Sequence, residues 1–191
     1  MEIGVLGLQG AVREHLISLD RCGVTGRIVK KLADLDDLNG LIIPGGESTT
    51  VGKLLVRYEL LQPIRERAQA GMAVFGTCTG LILMAREIEQ SDQPRLGLVD
   101  MTVRRNTFGR QVDSFETELP VPALGPEPLR AVFIRAPEVV AVRPGVEVLA
   151  RYEEHTVLVR QDRFLAAAFH PELTADCRLH QYFLRECCLK P

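Results

Sequence analysis

AVFGTCTGLILMA (residues 73–85) places a cysteine between two glycines, after one apolar run and ahead of another. GMAVFGT (71–77) is short and apolar enough for a buried strand, and TGLILMARE (79–87) suits a helix. Cys78 then sits on a sharp strand-to-helix turn, where Gly76 and Gly80 leave space that side chains would fill. A helix start also favours a thiolate, because the dipole and free N–H groups there stabilise negative charge. The same residues equally fit a tight turn around an inert thiol, since free cysteines are among the most buried side chains. The pattern alone leaves both readings open.

Working outward, the strand-then-helix rhythm repeats through the first half. EIGVLGL (2–8) reads as a buried strand, and AVREHLISLDRC (11–22) as a helix with Val12, Leu16, Leu19 and Cys22 at helical spacing. Gly23 stands where a helix stop belongs. VTGRIVK (24–30) and NGLIIPGG (39–46) follow as strands, and 49–70 as a helix interrupted near Pro63. This alternation predicts a parallel sheet covered by helices on both faces. The second half is different: VDMTVRR, VDSFETELPV, LRAVFIRAP, VEVLARYEE, TVLVRQ and FLAAAFHP are closely spaced strand-like runs, expected as antiparallel additions and hairpins. Helix returns only over 174–188, and the proline-rich 120–128 reads as a surface loop. The expectation is one α/β domain spanning 1–191.

Bulk properties narrow the function. The 191 residues are 46% hydrophobic and 25% charged, ordinary for a soluble globular chain. Lys and Arg number 23 against 25 Asp and Glu, for a formal charge of -2, so no basic surface of the kind nucleic acid requires is expected. No apolar run is long enough to span a bilayer, and MEIGVLGLQG reads as a first strand rather than a signal peptide. The 5 cysteines, an odd number, favour reduced thiols and a cytoplasmic setting. Cys177, His180, Cys187 and Cys188 lack the spacing of a structural zinc site, so no metal is expected.

Two further stretches carry chemistry. In FHPE (169–172), His170 falls at the end of an apolar strand, and in extended structure residues two apart share a face. Glu172 would then orient the imidazole and stabilise its cation. His15, His155 and His180 have no such partner in sequence and read as capping or surface residues. PGGESTT (44–50) follows a strand and precedes a helix, which puts it on the same sheet edge as Cys78. Gly45 and Gly46 permit backbone angles that aim N–H groups at an anion, with the Thr79 N–H as second donor to an oxyanion. The loop lacks the Gly-Lys-Ser/Thr ending of a phosphate-binding loop, and Glu47 would repel phosphate. Ser48 or Thr49 can cap the following helix. Cys78, His170, Glu172 and this loop form one coherent acyl-transfer site.

These residues resemble the triad (class I) glutamine amidotransferases, with their Gly-X-Cys-X-Gly elbow, Pro-Gly-Gly loop and late His-Pro-Glu. More narrowly, GVLGLQGAVREH, PGGESTT, GTCTGLI, RRNTFGRQVDSFE, FIRAP and AAFHPELTAD are similar, in order, to the glutaminase subunits of pyridoxal 5′-phosphate synthase. The resemblance runs from Gly4 to about Phe183, with Thr79 standing where that family more often has alanine.

The resemblance implies a flavodoxin-like three-layer sandwich with a mixed, mainly parallel sheet, and hydrolysis of L-glutamine to glutamate and ammonia without a cofactor. It implies Cys78, His170 and Glu172 as catalytic residues and Gly46 and Thr79 as oxyanion donors. Gly46, Glu47, Ser48, Arg105, Ile134 and Arg135 would bind substrate, an arginine fork suiting its carboxylate. The partner implied is a (β/α)8-barrel synthase subunit in a large hetero-oligomer, docking near Gln9 and Gly10, ordering the oxyanion loop and receiving the ammonia. Rival readings are a glutaminase of another amidotransferase such as imidazole glycerol phosphate synthase, a γ-glutamyl hydrolase-type cysteine protein, and a non-catalytic binding module of the same fold.

Overall fold

The computed structural model describes residues 1–105 and 114–189. Its first half alternates as the sequence predicts: β1 (Ile3–Leu6), α1 (Val12–Arg21), β2 (Gly26–Val29), β3 (Gly40–Ile43), α2 (Ser48–Arg57), α3 (Leu61–Gln69), β4 (Ala73–Thr77) and α4 (Thr79–Met84). The second half supplies β5 (Ala85–Ile88), β6 (Val99–Arg104), β7 (Ser114–Leu119), β8 (Leu129–Ile134), β9 (Glu138–Val142), β10 (Glu147–Tyr152), β11 (His155–Gln161), β12 (Phe164–Ala167) and α5 (Arg178–Tyr182). Wider-wound turns continue α5 over Phe183–Cys188.

A ten-stranded sheet runs in the order β2-β1-β3-β4-β12-β11-β9-β6-β5, with β10 paired to β11 off that path; β7 and β8 form a separate hairpin. The fold is a mixed α/β three-layer sandwich, its central sheet mainly parallel. β1, β3 and β4 are fully buried along their lengths, as expected of parallel strands covered on both faces. α1 turns His15, Ser18 and Leu19 inward, while α4 is buried at every position and carries no polar face. Four neighbouring strands, β1, β3, β4 and β12, run parallel. The segments leaving their carboxyl ends therefore gather at one edge, where open α/β sheets place their ligands.

Several boundaries differ from the sequence reading. Residues 85–88 leave the helix for β5, because pairing with β6 at the sheet margin outweighs the good helical preference of Ala-Arg-Glu. The break within 49–70 falls at Tyr58–Leu60, where Glu59 has φ 56°, and not at Pro63. Pro63 lies in the first turn of α3, where a missing N–H costs nothing. EVVAV (138–142), not singled out in the sequence, is β9 and bridges β6 to β11. Among the described residues no helix is long and apolar enough to cross a membrane.

Candidate active site

Cys78 occupies the turn between β4 and α4 with φ 49° and ψ −99°, a conformation few non-glycine residues adopt. Its surroundings hold it there. The Cys78 N–H donates to Ala167 O at 2.8 Å, tying the turn to the end of β12, and Cys78 O accepts from the Ile82 N–H at 3.3 Å. A Cβ on Gly76 would stand 2.4 Å from the Gly80 carbonyl carbon, and one on Gly80 would stand 2.2 Å from Ile43 O. Backbone meets backbone on both sides, so the two glycines permit the elbow. Cys78 is only 7% exposed, and its thiol is directed at Ile134 O, 3.9 Å away.

His170 follows β12, its N–H donating to Val132 O at 2.8 Å. Its Nδ1 lies 2.8 Å from Glu172 Oε1, the pairing predicted, but the route is different. Pro171–Leu173 form a tight helical turn instead of extended chain, and the curl returns Glu172 to the ring. Burial alone would depress the imidazolium; hydrogen bonding and charge from Cys78 and Glu172 outweigh it and carry the His170 pKa up to about 10.

The loop after β3 closes over this pair. A Cβ on Gly45 would stand 2.4 Å from His170 Cε1, so this glycine sets how near the loop approaches the ring. The Thr79 hydroxyl donates to Gly46 O at 2.7 Å, and the Glu47 N–H donates to Gln9 Oε1 at 2.7 Å. The cap of α2 is Glu47, not Ser48 or Thr49 as the sequence suggests. Its carboxylate accepts the N–H groups of Thr49 and Thr50 at 3.0 and 2.7 Å. Hydrogen bonding from the Thr50 hydroxyl, chiefly, with these backbone groups, holds its pKa down at about 2 against some burial.

A cleft of about 510 Å³ brings together Cys78, His170, Gln9, Gly46, Glu47, Ser48, Thr79, Arg105, Ile134 and Arg135, with Ile82 on its wall. Glu172 lies buried behind His170, and Gly10 packs so closely under the Gly45 carbonyl that a Cβ would meet it at 1.6 Å. Every residue predicted for the site is therefore at one sheet edge. Asn106–Asp113, most of the RRNTFGRQVDSFE stretch, lie outside the described residues.

Three residues here are not among the predicted site residues. Gln93 is buried, and its Oε1 accepts from Arg105 Nη1 at 3.1 Å, Thr49 Oγ1 at 3.2 Å and Ser48 Oγ at 3.3 Å. It ties the arginine to the loop. His15 and His180 are wholly buried beneath the triad, with His15 Nδ1 3.0 Å from His180 Nε2. The surface assignment of these two histidines is wrong, and helical spacing holds the reason: His15 follows Val12 by three and precedes Leu19 by four, on the inward stripe. His155 is half-buried and pairs with Glu138.

Chemically, the arrangement offers a thiol beside an imidazole, a carboxylate behind the imidazole, and a loop close to both. Two guanidinium groups stand at the rim. Such a set can take up an acyl group from an amide and pass it to water. Among the described residues no group of three or more His, Cys, Asp or Glu side chains could hold a metal ion.

Comparison with known proteins agrees. Residues 5–189 match the model of the SNO glutamine amidotransferase family. The chain is 59% identical over 184 residues to a protein of Desulforudis audaxviator named pyridoxal 5′-phosphate synthase subunit PdxT, covering 96% of this chain and 97% of that one. A protein of the same name from Pelotomaculum thermopropionicum is 58% identical over 187 residues, covering 98% and 95%. A crystal structure described as a glutamine amidotransferase superposes with a TM-score of 0.92 at 50% identity, over 97% of this chain and 98% of that one. PurLQS from Thermotoga maritima, at 19% identity and a TM-score of 0.70, shares the fold over 96% of this chain and 97% of its own. With residues 5–189 matched, the chain belongs to the SNO glutamine amidotransferase family.

Proposed function

We propose that this chain hydrolyses L-glutamine and delivers the ammonia to a pyridoxal 5′-phosphate synthase subunit. The observation that carries the reading is the meeting of Cys78, on its strained elbow, with the buried His170–Glu172 pair at the ends of adjacent strands. The relatives' shared name supports this partner over that of another amidotransferase.

The steps follow from the groups present. The Cys78 thiolate attacks the substrate carboxamide carbon, and the oxygen takes the negative charge, facing the N–H groups of Gly46 and Thr79. Collapse expels ammonia, which receives its proton from the His170 imidazolium and leaves a γ-glutamyl thioester. Neutral His170 then takes a proton from water as it attacks the thioester carbon, and glutamate leaves as the thiolate reforms. Glu172 keeps the ring oriented and balances its charge when protonated. Glutamine and water become glutamate and ammonia. Gly46, Glu47, Ser48, Ile134, Arg105 and Arg135 form the substrate subsite, the arginines facing its α-carboxylate.

The partner is read as a (β/α)8-barrel subunit in a large hetero-oligomer, docking over Gln9 and Gly10. The Gln9–Glu47 hydrogen bond gives such docking a direct mechanical link to the oxyanion loop. Five free cysteines fit a reducing cytoplasm. The test is covalent: a glutamine analogue with a diazoketone in place of the carboxamide, added to the assembled complex, should add one label. Peptide mass spectrometry should find it on Cys78, and a label on another residue would refute the assignment.

A further inference from the structure

The carboxylate of Glu172 has a second neighbour. Its Oε1 faces His170, whereas Oε2 is buried and has no hydrogen-bond partner. His15 Nε2 lies 3.5 Å from that oxygen, longer than an ordinary N–H···O hydrogen bond, and both side chains are fully shielded from solvent. A buried carboxylate oxygen without a donor is costly, so an N–H dipole facing it matters.

The position of the proton on His15 follows by elimination. His180 Nδ1 is buried without a partner. An orphaned N–H donor costs more than an orphaned lone pair, so this nitrogen is the bare one and His180 carries its proton on Nε2. That proton points at His15 Nδ1, 3.0 Å away, which must therefore accept. The His15 proton is left on Nε2, 3.1 Å from Thr77 Oγ1 and 3.5 Å from Glu172 Oε2. Burial, first, and then His180 and His170 hold the His15 pKa well below its usual value; burial takes His180 down to about 4. The titratable groups facing His15 are His180 on α5 and Glu172, with His170 beyond it, on the turn after β12. β4 contributes only Thr77 and the edge of the Phe75 ring.

We infer that His15 is a positioning residue for glutamine hydrolysis, its neutral Nε2–H dipole facing the second oxygen of Glu172 while His180 fixes its tautomer. The inference rests on the triad reading above. Neutrality matters: a cation at this place would cancel the charge that Glu172 turns toward His170, whereas an N–H donor holds the carboxylate and leaves that charge intact. α1, which follows the loop carrying Gln9 and Gly10, thereby reaches the triad from behind.

The test uses the complex with its synthase subunit. His15→Leu should lower kcat about 10- to 100-fold, the size carried by outer hydrogen-bond partners in comparable sites, with KM for glutamine within about twofold. His15→Gln, which keeps an N–H, should recover most of the rate. Wild-type kcat in His15→Leu, or a loss that His15→Gln does not recover, would overturn the inference. Nitrogen NMR of histidine-labelled wild type decides it even where a variant fails to fold. A neutral Nε2–H signal for His15 supports it, while Nδ1–H or imidazolium refutes it. Absence of any glutaminase activity in the wild-type complex would instead sink the underlying reading.

Discussion

His170 Nδ1 stands 2.8 Å from Glu172 Oε1, and hydrogen bonding and charge from Cys78 and Glu172 together outweigh burial and carry the imidazolium pKa up to about 10. An unfolded histidine releases its proton near 6.5, so between these values the folded state binds the extra proton. The pair therefore contributes stability in full below about pH 6.5 and loses it as pH rises toward 10. Thermal denaturation of wild type and His170→Gln across that window should show their difference in Tm shrinking with rising pH. A constant difference would remove the ion pair from the account.

Gly45 lies against the His170 ring, and Gly80 against the Ile43 carbonyl. Gly45→Ala should displace a catalytic ring while sparing most of the fold, reducing kcat on the order of 100-fold with a small change in Tm. Gly80→Ala meets backbone and should destabilise by about 1–3 kcal/mol, as overpacked cores do. Denaturant unfolding and steady-state kinetics on both variants separate the two effects; the reverse pattern would refute this placement of the loop.

Gln93 connects Arg105 to Ser48 and Thr49. Gln93→Leu fills the same space without the acceptor, so Arg105 loses its shorter hydrogen bond and keeps the 3.4 Å one to Thr49 Oγ1. KM for glutamine should rise about tenfold with kcat little changed, and Arg105→Ala should raise it at least as much. Equal KM values in wild type and both variants would take Arg105 out of substrate binding.

Glu47 caps α2 with its carboxylate. Glu47→Ala should cost about 1 kcal/mol, typical of a lost cap, measured by urea unfolding at neutral pH. With a folded pKa of about 2 against an ordinary 4.5, the cap is present in full above about 4.5 and fails as pH falls toward 2. The difference between wild type and variant should vanish in that acid range. Were it to persist there, the carboxylate would not be the capping group.

Much of this was legible in the sequence because the site is built from short local patterns. The elbow needs glycine on both sides of Cys78, and the His170–Glu172 pairing lies within three residues, though the chain curls there instead of running extended as the sequence suggests. The parallel half announced itself through buried apolar runs such as GLII and AVFGT. The antiparallel half was harder, since β9 and β5 exist through pairing with distant strands, which local preference does not record. Gln93 carries no signal at all, as its role arises from contacts with residues more than ten positions away. His15 could have been found: it sits on the inward stripe of α1, but a lone histidine among polar neighbours reads as surface until something buried is seen to need it.

The central claim is that Cys78 is the nucleophile of a glutaminase that works with a synthase subunit. Ammonia release from glutamine, measured for wild type and Cys78→Ala with and without the pyridoxal 5′-phosphate synthase partner, tests it most directly. Wild type should release ammonia strongly only with the partner, and the variant should release none above background in either case. Unchanged turnover in Cys78→Ala would contradict the account.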